Sequence, residues 1–267
     1  MSTRSERVDT LLRQSDEIHD TIDPYFDGER RYRRMLRVGV NLAAISLRQG
    51  LSTSETGTKL LRIPHNNPPT LGPLDEFANL YADVERATLD REGNPETDAR
   101  HALHLMKLGP LYARDHYPSL DPGKIALYAL LHDSIEAFAK DVSSLGITPE
   151  QAQLKHRNEM LALEKIRATY GEAWPEFVAV IDDYENLKEA EARFNKSLDK
   201  IVPGVNHFTD SGAQLKSRYG FTRDTFLEAM DEGTERMRPY AEAFPLIIED
   251  RTEVSYRIAD LVYPKAA

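Results

Sequence analysis

Apolar residues recur every three or four positions along most of this chain, which is the spacing of one face of an α-helix. The segments from about Ser5 to Ile22 and from about Glu29 to Gln49 both show this pattern, and Gly50 supplies an end signal after the second. Pro149 marks a further helix start, and the tail from about Thr222 to Leu261 carries two more helical patterns. No segment shows a convincing strand pattern. The sequence therefore predicts an all-α fold.

One stretch interrupts the helical pattern and divides the chain. Residues 50 to 75 are rich in Thr, Ser, Gly, Asn and Pro and end in IPHNNPPTLGP, a composition typical of a loop or linker. The 267 residues are enough for one large domain or two small ones. We therefore predict an N-terminal helical extension and linker over residues 1–75 and a larger helical domain over residues 76–267.

The chain contains no cysteine. This excludes disulfides, cysteine-ligated zinc and cysteine nucleophiles. A metal ion would have to be held by histidine and carboxylate side chains, a donor set that suits Mg, Mn, Co, Fe or Zn.

The charge balance limits the partners that we expect. With 34 Lys and Arg against 44 Asp and Glu, the net charge is −10, which argues against a broad nucleic-acid surface. We interpret the arginines of the second helical segment as a solvated or subunit-facing surface rather than a phosphate patch; they are Arg30, Arg31, Arg33, Arg34 and Arg37. The sequence starts without the apolar region of a signal peptide and has no run of membrane-spanning length, so we expect a cytoplasmic protein with no membrane partner.

An adjacent histidine and aspartate follow an apolar run in the middle of the chain, in LYALLHDSIEAFAKD. Neighbours on a helix point about 100° apart, so His132 and Asp133 could bracket one ion only at the edge of a helix bundle, with further ligands from other helices. His101 lies in a predicted helix upstream, with His104 one turn on as a rival. Asp199 borders an apolar stripe downstream; because an unpaired buried charge is costly, it is either a ligand or a paired group at the core edge.

Three ordered blocks of sequence carry a resemblance to a known family. A pattern like E-x-x-x-E-H falls on residues 96–101, with Arg100 where the family has an acid. A pattern like H-D-x-x-E-x-x-x-x-D falls on residues 132–141, and E-Y-E, E-A-R-F and D-K are matched within residues 183–200. Over roughly residues 76–210 the chain resembles the HD-domain metal-dependent phosphohydrolases, and within them the 5'-deoxynucleotidase-like branch. The resemblance refines the predicted fold to an HD-domain helical bundle with an N-terminal helical extension.

The resemblance also implies roles for particular residues. One divalent ion (Co, Mn, Mg, Fe or Zn) would be held by His101, His132, Asp133 and Asp199. Glu136 stands at the family's acid/base position, where it could orient or deprotonate a metal-bound water. Asp141 matches a further carboxylate that acts near the nucleophile or the sugar. Arg86 stands where deoxynucleotidases carry an arginine for the phosphate or sugar, although Ala87 replaces the tryptophan that usually follows.

These roles predict a phosphohydrolase that removes phosphate from a deoxyribonucleoside 5'-monophosphate. A triphosphohydrolase of deoxyribonucleoside triphosphates would use the same metal site, and a non-catalytic HD-fold protein that binds nucleotides or regulates is the alternative of another class. The expected partner is a small-molecule nucleotide, and by analogy with the family a second copy of the chain in a homodimer.

Overall fold

The computed structural model describes residues 2–22, 29–61, 73–89, 94–143, 147–209, 212, 215 and 219–263. The helices in these ranges are α1 (Arg4–Ile22), α2 (Glu29–Arg48), α3 (Thr53–Leu60), α4 (Pro73–Ala82), α5 (Asp98–His116), α6 (Pro122–Leu131), α7 (Glu136–Ala139), α8 (Pro149–Tyr170), α9 (Pro175–Glu185), α10 (Ala190–Asp199), α11 (Val202–Thr209), α12 (Arg223–Ala241) and α13 (Pro245–Val262). The strands are β1 (Glu85–Leu89) and β2 (Pro95–Thr97). The predicted all-α class is confirmed.

The centre of the molecule is α6, whose sequence PGKIALYALL is apolar on nearly every side. A helix of this kind has to be surrounded on all faces. It packs against α2, α3, α5, α9 and α10. Asp121 caps its start by accepting hydrogen bonds from the backbone N–H groups of Gly123 and Lys124. Because α6 ends at Leu131, the His-Asp pair emerges directly from the core.

The prediction that residues 50–75 form a loop is wrong for its first part. Helix α3 occupies Thr53–Leu60 and begins with a capping box, in which Ser52 and Glu55 exchange side-chain to backbone hydrogen bonds. The S-x-x-E signal was present in the sequence but was outweighed by the polar composition around it. The proline-rich end of the stretch, residues 62–72, lies outside the described residues.

Helices α3 and α6 cross at a pair of glycines. A Cβ atom added to Gly57 would lie 1.6 Å from the carbonyl oxygen of Gly123, and one added to Gly123 would lie 2.1 Å from that of Ser54. The two backbones are therefore in direct contact, which no other residue type permits at these positions.

A short antiparallel hairpin corrects the expectation that the chain has no strand. Strand β1 pairs with β2, with Glu85 opposite Thr97 and Leu89 opposite Pro95. Five and three residues are too few to display a clear alternation in the sequence. The hairpin matters for the site because it carries Arg86 and Glu96 and leads directly into α5.

The two predicted C-terminal helices are confirmed as α12 and α13, which pack against each other. The first helix is tied to the last by a buried cluster. Arg7 Nη2 lies 2.8 Å from Asp250 Oδ1, and the Tyr112 hydroxyl of α5 donates to Asp250 Oδ2 at 2.6 Å. Buried apolar residues of α1, α2 and α3 belong to the same core as those of the later helices. The division of the chain at residue 75 stays a prediction about folding units.

Within the described ranges, none of the helices combines the length and the apolar character needed to cross a membrane.

Candidate metal centre

His132 and Asp133 lie in the turn that follows α6, not within a helix as the sequence suggested. His132 is the C-terminal cap residue of α6. Its Nδ1 lies 2.8 Å from the carbonyl oxygen of Ala129, so Nδ1 carries the proton and donates it. In the neutral form of the ring, which metal binding requires, Nε2 carries a lone pair directed away from α6. The helix end thus fixes the orientation of the imidazole, as second partners of metal-binding histidines do.

The other two predicted ligands reach the same point from different helices. His101 lies in the first turn of α5, and Asp199 is the last residue of α10. His101 Nε2 is 2.8 Å from Asp199 Oδ1, and His132 Nε2 is 2.8 Å from Asp133 Oδ2 and 3.6 Å from Asp199 Oδ1. Ligand atoms of all four side chains lie within 4.8 Å of one another. The structure therefore brings together the four residues that the sequence predicted.

The chemistry of this cluster fits a divalent cation. Its donors are two imidazole nitrogens and two carboxylates, whose charges a divalent ion would balance. His132 Nε2 is buried and makes no well-formed hydrogen bond, despite its short approach to Asp133. A buried polar atom without a partner is costly, and a bound cation would satisfy it. The role of the four residues as metal ligands stays a prediction.

His104, the rival to His101, faces elsewhere. Its Nε2 lies 3.1 Å from the hydroxyl of Ser15, and its ring centroid is 4.4 Å from that of His19. Both partners belong to α1. His104 therefore belongs to the contact between α1 and α5.

Positive neighbours keep the two carboxylates of the cluster ionised. Burial by itself would raise the pKa of Asp133, but His132 and Arg86 hold it well below its usual range. Burial would also raise the pKa of Asp199. Lys200 opposes this most strongly among the groups that lower the pKa of Asp199, because its Nζ lies 2.5 Å from Asp199 Oδ2. For His132, burial opposes the charged form, yet the adjacent carboxylates raise its pKa to about 10. The carboxylates are thus in the state that metal ligation requires.

Arg86 bridges the cluster to a second group of acids. Its Nη1 lies 2.5 Å from Asp133 Oδ2 and 2.9 Å from Asp98 Oδ1. Asp98, Asp133 and Glu136 also offer ligand atoms within 4.8 Å of one another. Because the Arg86 guanidinium already supplies the positive charge between Asp98 and Asp133, this second group does not need an ion of its own.

Glu136 begins α7 one turn after Asp133, as the sequence predicted, and its backbone N–H donates to the Asp133 carbonyl at 2.8 Å. Its Oε2 atom is buried and has no hydrogen-bond partner. Burial, reinforced by the charges of Asp133 and Asp98, raises the pKa of Glu136 well above its usual range. The side chain can therefore hold a proton that a carboxylate in water would release.

A cavity of about 380 Å³ opens beside the cluster, a size suited to a small organic molecule. Five of the predicted site residues line it, namely Arg86, Asp133, Glu136, Asp141 and Asp199. Asp141 also accepts a hydrogen bond from the backbone N–H of Ala87 at 3.2 Å, so it anchors β1 at the cavity.

Several residues that form this site were not identified from the sequence. Asp98 and Glu96 partner Arg86, and their acidic stretch before His101 was the available signal. The far wall of the cavity comes from α11, α12 and α13, and includes Arg251. No local pattern connects these helices to the distant pair His132 and Asp133.

Comparison with known proteins identifies the family of this chain. A family model described as HD domain matches residues 82–239. A solved structure described as a predicted metal-dependent phosphohydrolase from Magnetospirillum magnetotacticum MS-1 is 24% identical, covers 68% of this chain and 90% of its own, and superposes with a TM-score of 0.49. None of the curated proteins matches the sequence significantly. The family match spans more than half of the 267 residues and includes all four members of the cluster. The chain therefore belongs to the HD-domain family.

Proposed function

We propose that this chain is a metal-dependent phosphohydrolase that removes the phosphate from a deoxyribonucleoside 5'-monophosphate. The observation that carries the proposal is the cluster of His101, His132, Asp133 and Asp199 at the wall of a cavity that Glu136 also lines. The substrate class follows from the resemblance of the three sequence blocks to the 5'-deoxynucleotidase-like branch.

The metal, when bound, would lower the pKa of a water molecule and polarise the phosphoryl oxygens. His101, His132, Asp133 and Asp199 would hold it. Glu136 lines the cavity beside the cluster, where its carboxylate form can take a proton from the attacking water and its protonated form can return that proton to the leaving oxygen.

Arg86 and Asp141 are the groups that we assign to the substrate. The Arg86 guanidinium uses Nη1 for Asp98 and Asp133, so its other donors can serve a phosphate oxygen. Asp141 accepts from the Ala87 backbone through one oxygen and has a second oxygen for a sugar hydroxyl. Alanine at position 87, where the family usually has a tryptophan, leaves the base without that aromatic contact.

A substrate screen tests the proposal. Metal-loaded protein is incubated with deoxyribonucleoside and ribonucleoside 5'-monophosphates and with the corresponding triphosphates, and the products are identified. Release of inorganic phosphate from deoxyribonucleoside monophosphates is the expected result. Release of tripolyphosphate from triphosphates would instead support the triphosphohydrolase alternative. Metal binding with no turnover of any nucleotide would support the non-catalytic alternative.

A further inference from the structure

Arg251 is a buried arginine that forms no ion pair with a carboxylate of the described residues. It lies on α13, is 8% exposed, and lines the cavity beside the metal cluster. Its Nη1 donates to the carbonyl oxygen of Met230 at 2.6 Å and to the hydroxyl of Thr234, which are both neutral. Its Nε is buried and has no hydrogen-bond partner. Among the residues that the structure describes, no carboxylate lies within ion-pair distance of Arg251.

Two other arginines with little exposed surface, Arg7 and Arg86, are paired with acids. Arg7 contacts Asp250 and Glu249, and Arg86 contacts Asp98 and Asp133. The acids outweigh burial and raise the pKa of Arg7 and of Arg86, whereas burial lowers the pKa of Arg251 to about 10. A guanidinium removed from water without a counter-charge is costly, so its retention inside a cavity calls for an anion that arrives from outside.

Gly233 makes the space that Arg251 fills. It lies in the middle of α12, where glycine is unfavourable compared with alanine. A Cβ atom at this position would lie 2.6 Å from Nη2 of Arg251. The glycine therefore allows the guanidinium to lie against the backbone of α12.

The cavity runs from Arg251 back toward the metal cluster. The residues of α13 that line it are Arg251, Val254, Ser255 and Ile258, which span about 10 Å at 1.5 Å per residue. Tyr240 lines the same cavity, as do Lys200 and Asp199 near the metal cluster. Apolar side chains from α11 and α12 complete the walls, so an organic group fits between two charged ends.

We propose that Arg251 forms a second anion-binding subsite, which takes a second phosphate of the substrate while the scissile phosphate lies at the metal cluster. The guanidinium presents planar pairs of N–H donors that match phosphate oxygens. The substrate class is then a nucleotide with two separate phosphates, such as a deoxyribonucleoside 3',5'-bisphosphate. The subsite itself rests only on the geometry around Arg251, and its link to turnover rests on the proposed function.

The first test measures anion binding without metal or activity. Chelator-treated protein is melted in sodium sulfate and in sodium chloride at equal ionic strength, and the extra rise in Tm in sulfate is recorded. Wild type should show this rise, and Arg251→Met should lose it. Arg238→Met removes an exposed arginine of α12 that pairs with Glu235 and does not line the cavity, so it should keep the rise and control for the general effect of sulfate. An equal rise in wild type and Arg251→Met would overturn the subsite.

The second test measures KM for deoxyadenosine 5'-monophosphate and for its 3',5'-bisphosphate. Wild type should show a KM about tenfold lower or more for the bisphosphate, the range of a charge-assisted hydrogen bond, with similar kcat. Arg251→Met should abolish this preference, and Arg251→Lys should restore part of it. A preference that survives in Arg251→Met, or its absence in wild type, would overturn the proposal.

Gly233→Ala is a second variant that tests the subsite if Arg251→Met does not fold. Alanine favours the helix, while its Cβ displaces the guanidinium, so this variant should fold and still lose the bisphosphate preference. Retention of the preference would count against the subsite. If no nucleotide is turned over but the sulfate effect depends on Arg251, the proposed function fails and the subsite stands.

Discussion

At the scale of single residues, two carboxyl groups of the same cavity are held in opposite states. Asp133 lies beside His132 and Arg86, which keep its pKa well below the usual range. Glu136 is more remote from positive charge, and burial raises its pKa well above the usual range. Acids whose environments separate their pKa values in this way are typical of sites in which one binds a cation and the other exchanges protons.

The first prediction concerns Glu136. Glu136→Gln preserves the shape of the side chain and removes its ability to take a proton. We expect kcat to fall by about 10²–10⁴, the usual contribution of a general acid/base, while the bound metal and KM change little. Steady-state kinetics together with elemental analysis of the purified variant check this. Full turnover in Glu136→Gln would remove Glu136 from the mechanism.

A second prediction concerns pH and Glu185, at the end of α9. Burial is the main reason that its pKa rises to about 7, with Lys196 acting in the opposite direction. The folded chain therefore holds a proton that the unfolded chain releases at a lower pH, so this residue costs stability as pH rises from about 4.5 to about 7. Glu185→Gln cannot ionise and should be more stable than wild type by about 1–3 kcal/mol at pH 8, with a smaller gain at pH 5.

Urea unfolding of the metal-free proteins at the two pH values measures this difference. A gain of the same size at pH 5 and pH 8 would show that Glu185 is ionised in the folded chain at both pH values.

The site residues that were predicted from the sequence lie in local sequence patterns, whereas Arg251, which was missed, does not. His101, His132, Asp133 and Asp199 lie in local patterns with characteristic neighbours. Arg251 has no such neighbours, and its importance comes from a missing partner, which only the three-dimensional packing reveals. Burial and pairing are properties of the folded chain, and the sequence does not encode them locally.

At the scale of elements, helix periodicity predicted α1 and α2 with ends within a residue or two, because their apolar faces pack on one core. It failed where the helix or strand was short. Helix α3 has eight residues and β2 has three, so neither offers enough positions to display a period. The stop after Leu131 was also missed, because the apolar run continues without a break into His132.

The crossing of α3 and α6 gives the third prediction. Gly57→Ala improves helix propensity but places a Cβ against the backbone of Gly123, which cannot move without separating the helices. We expect a loss of about 2–4 kcal/mol of stability, within the range of severe packing defects. Gly233→Ala is the matched control, because its close contact, 2.6 Å from Nη2 of Arg251, is with the far end of a flexible side chain that can shift. Chemical denaturation should therefore show a much smaller loss for Gly233→Ala, and equal losses would contradict the backbone contact.

At the scale of the whole molecule, the N-terminal helices and the predicted catalytic region share one core. Arg7 is buried against Asp250, and Gly57 of α3 lies against Gly123 of α6, the helix that leads to His132. The prediction that follows concerns a chain truncated to residues 76–267. Removing the first three helices would leave Asp250 without Arg7 and expose α6, so we expect the truncated chain to lack a cooperative thermal transition.

A truncated chain that melts cooperatively and has a native-like helix content by circular dichroism would instead establish residues 76–267 as an independent folding unit. In that case the boundary predicted from the sequence would hold.

The central claim is that His101, His132, Asp133 and Asp199 hold one divalent ion, and elemental analysis after dialysis against the metal tests it most directly. Wild type should retain about one ion per chain, and Asp199→Ala should lose it, because the ion would keep only three of its four protein ligands. Asp141→Ala is the control, since Asp141 lines the same cavity outside the cluster and its loss should leave the ion bound. An ion retained in full by Asp199→Ala would contradict the proposed metal centre.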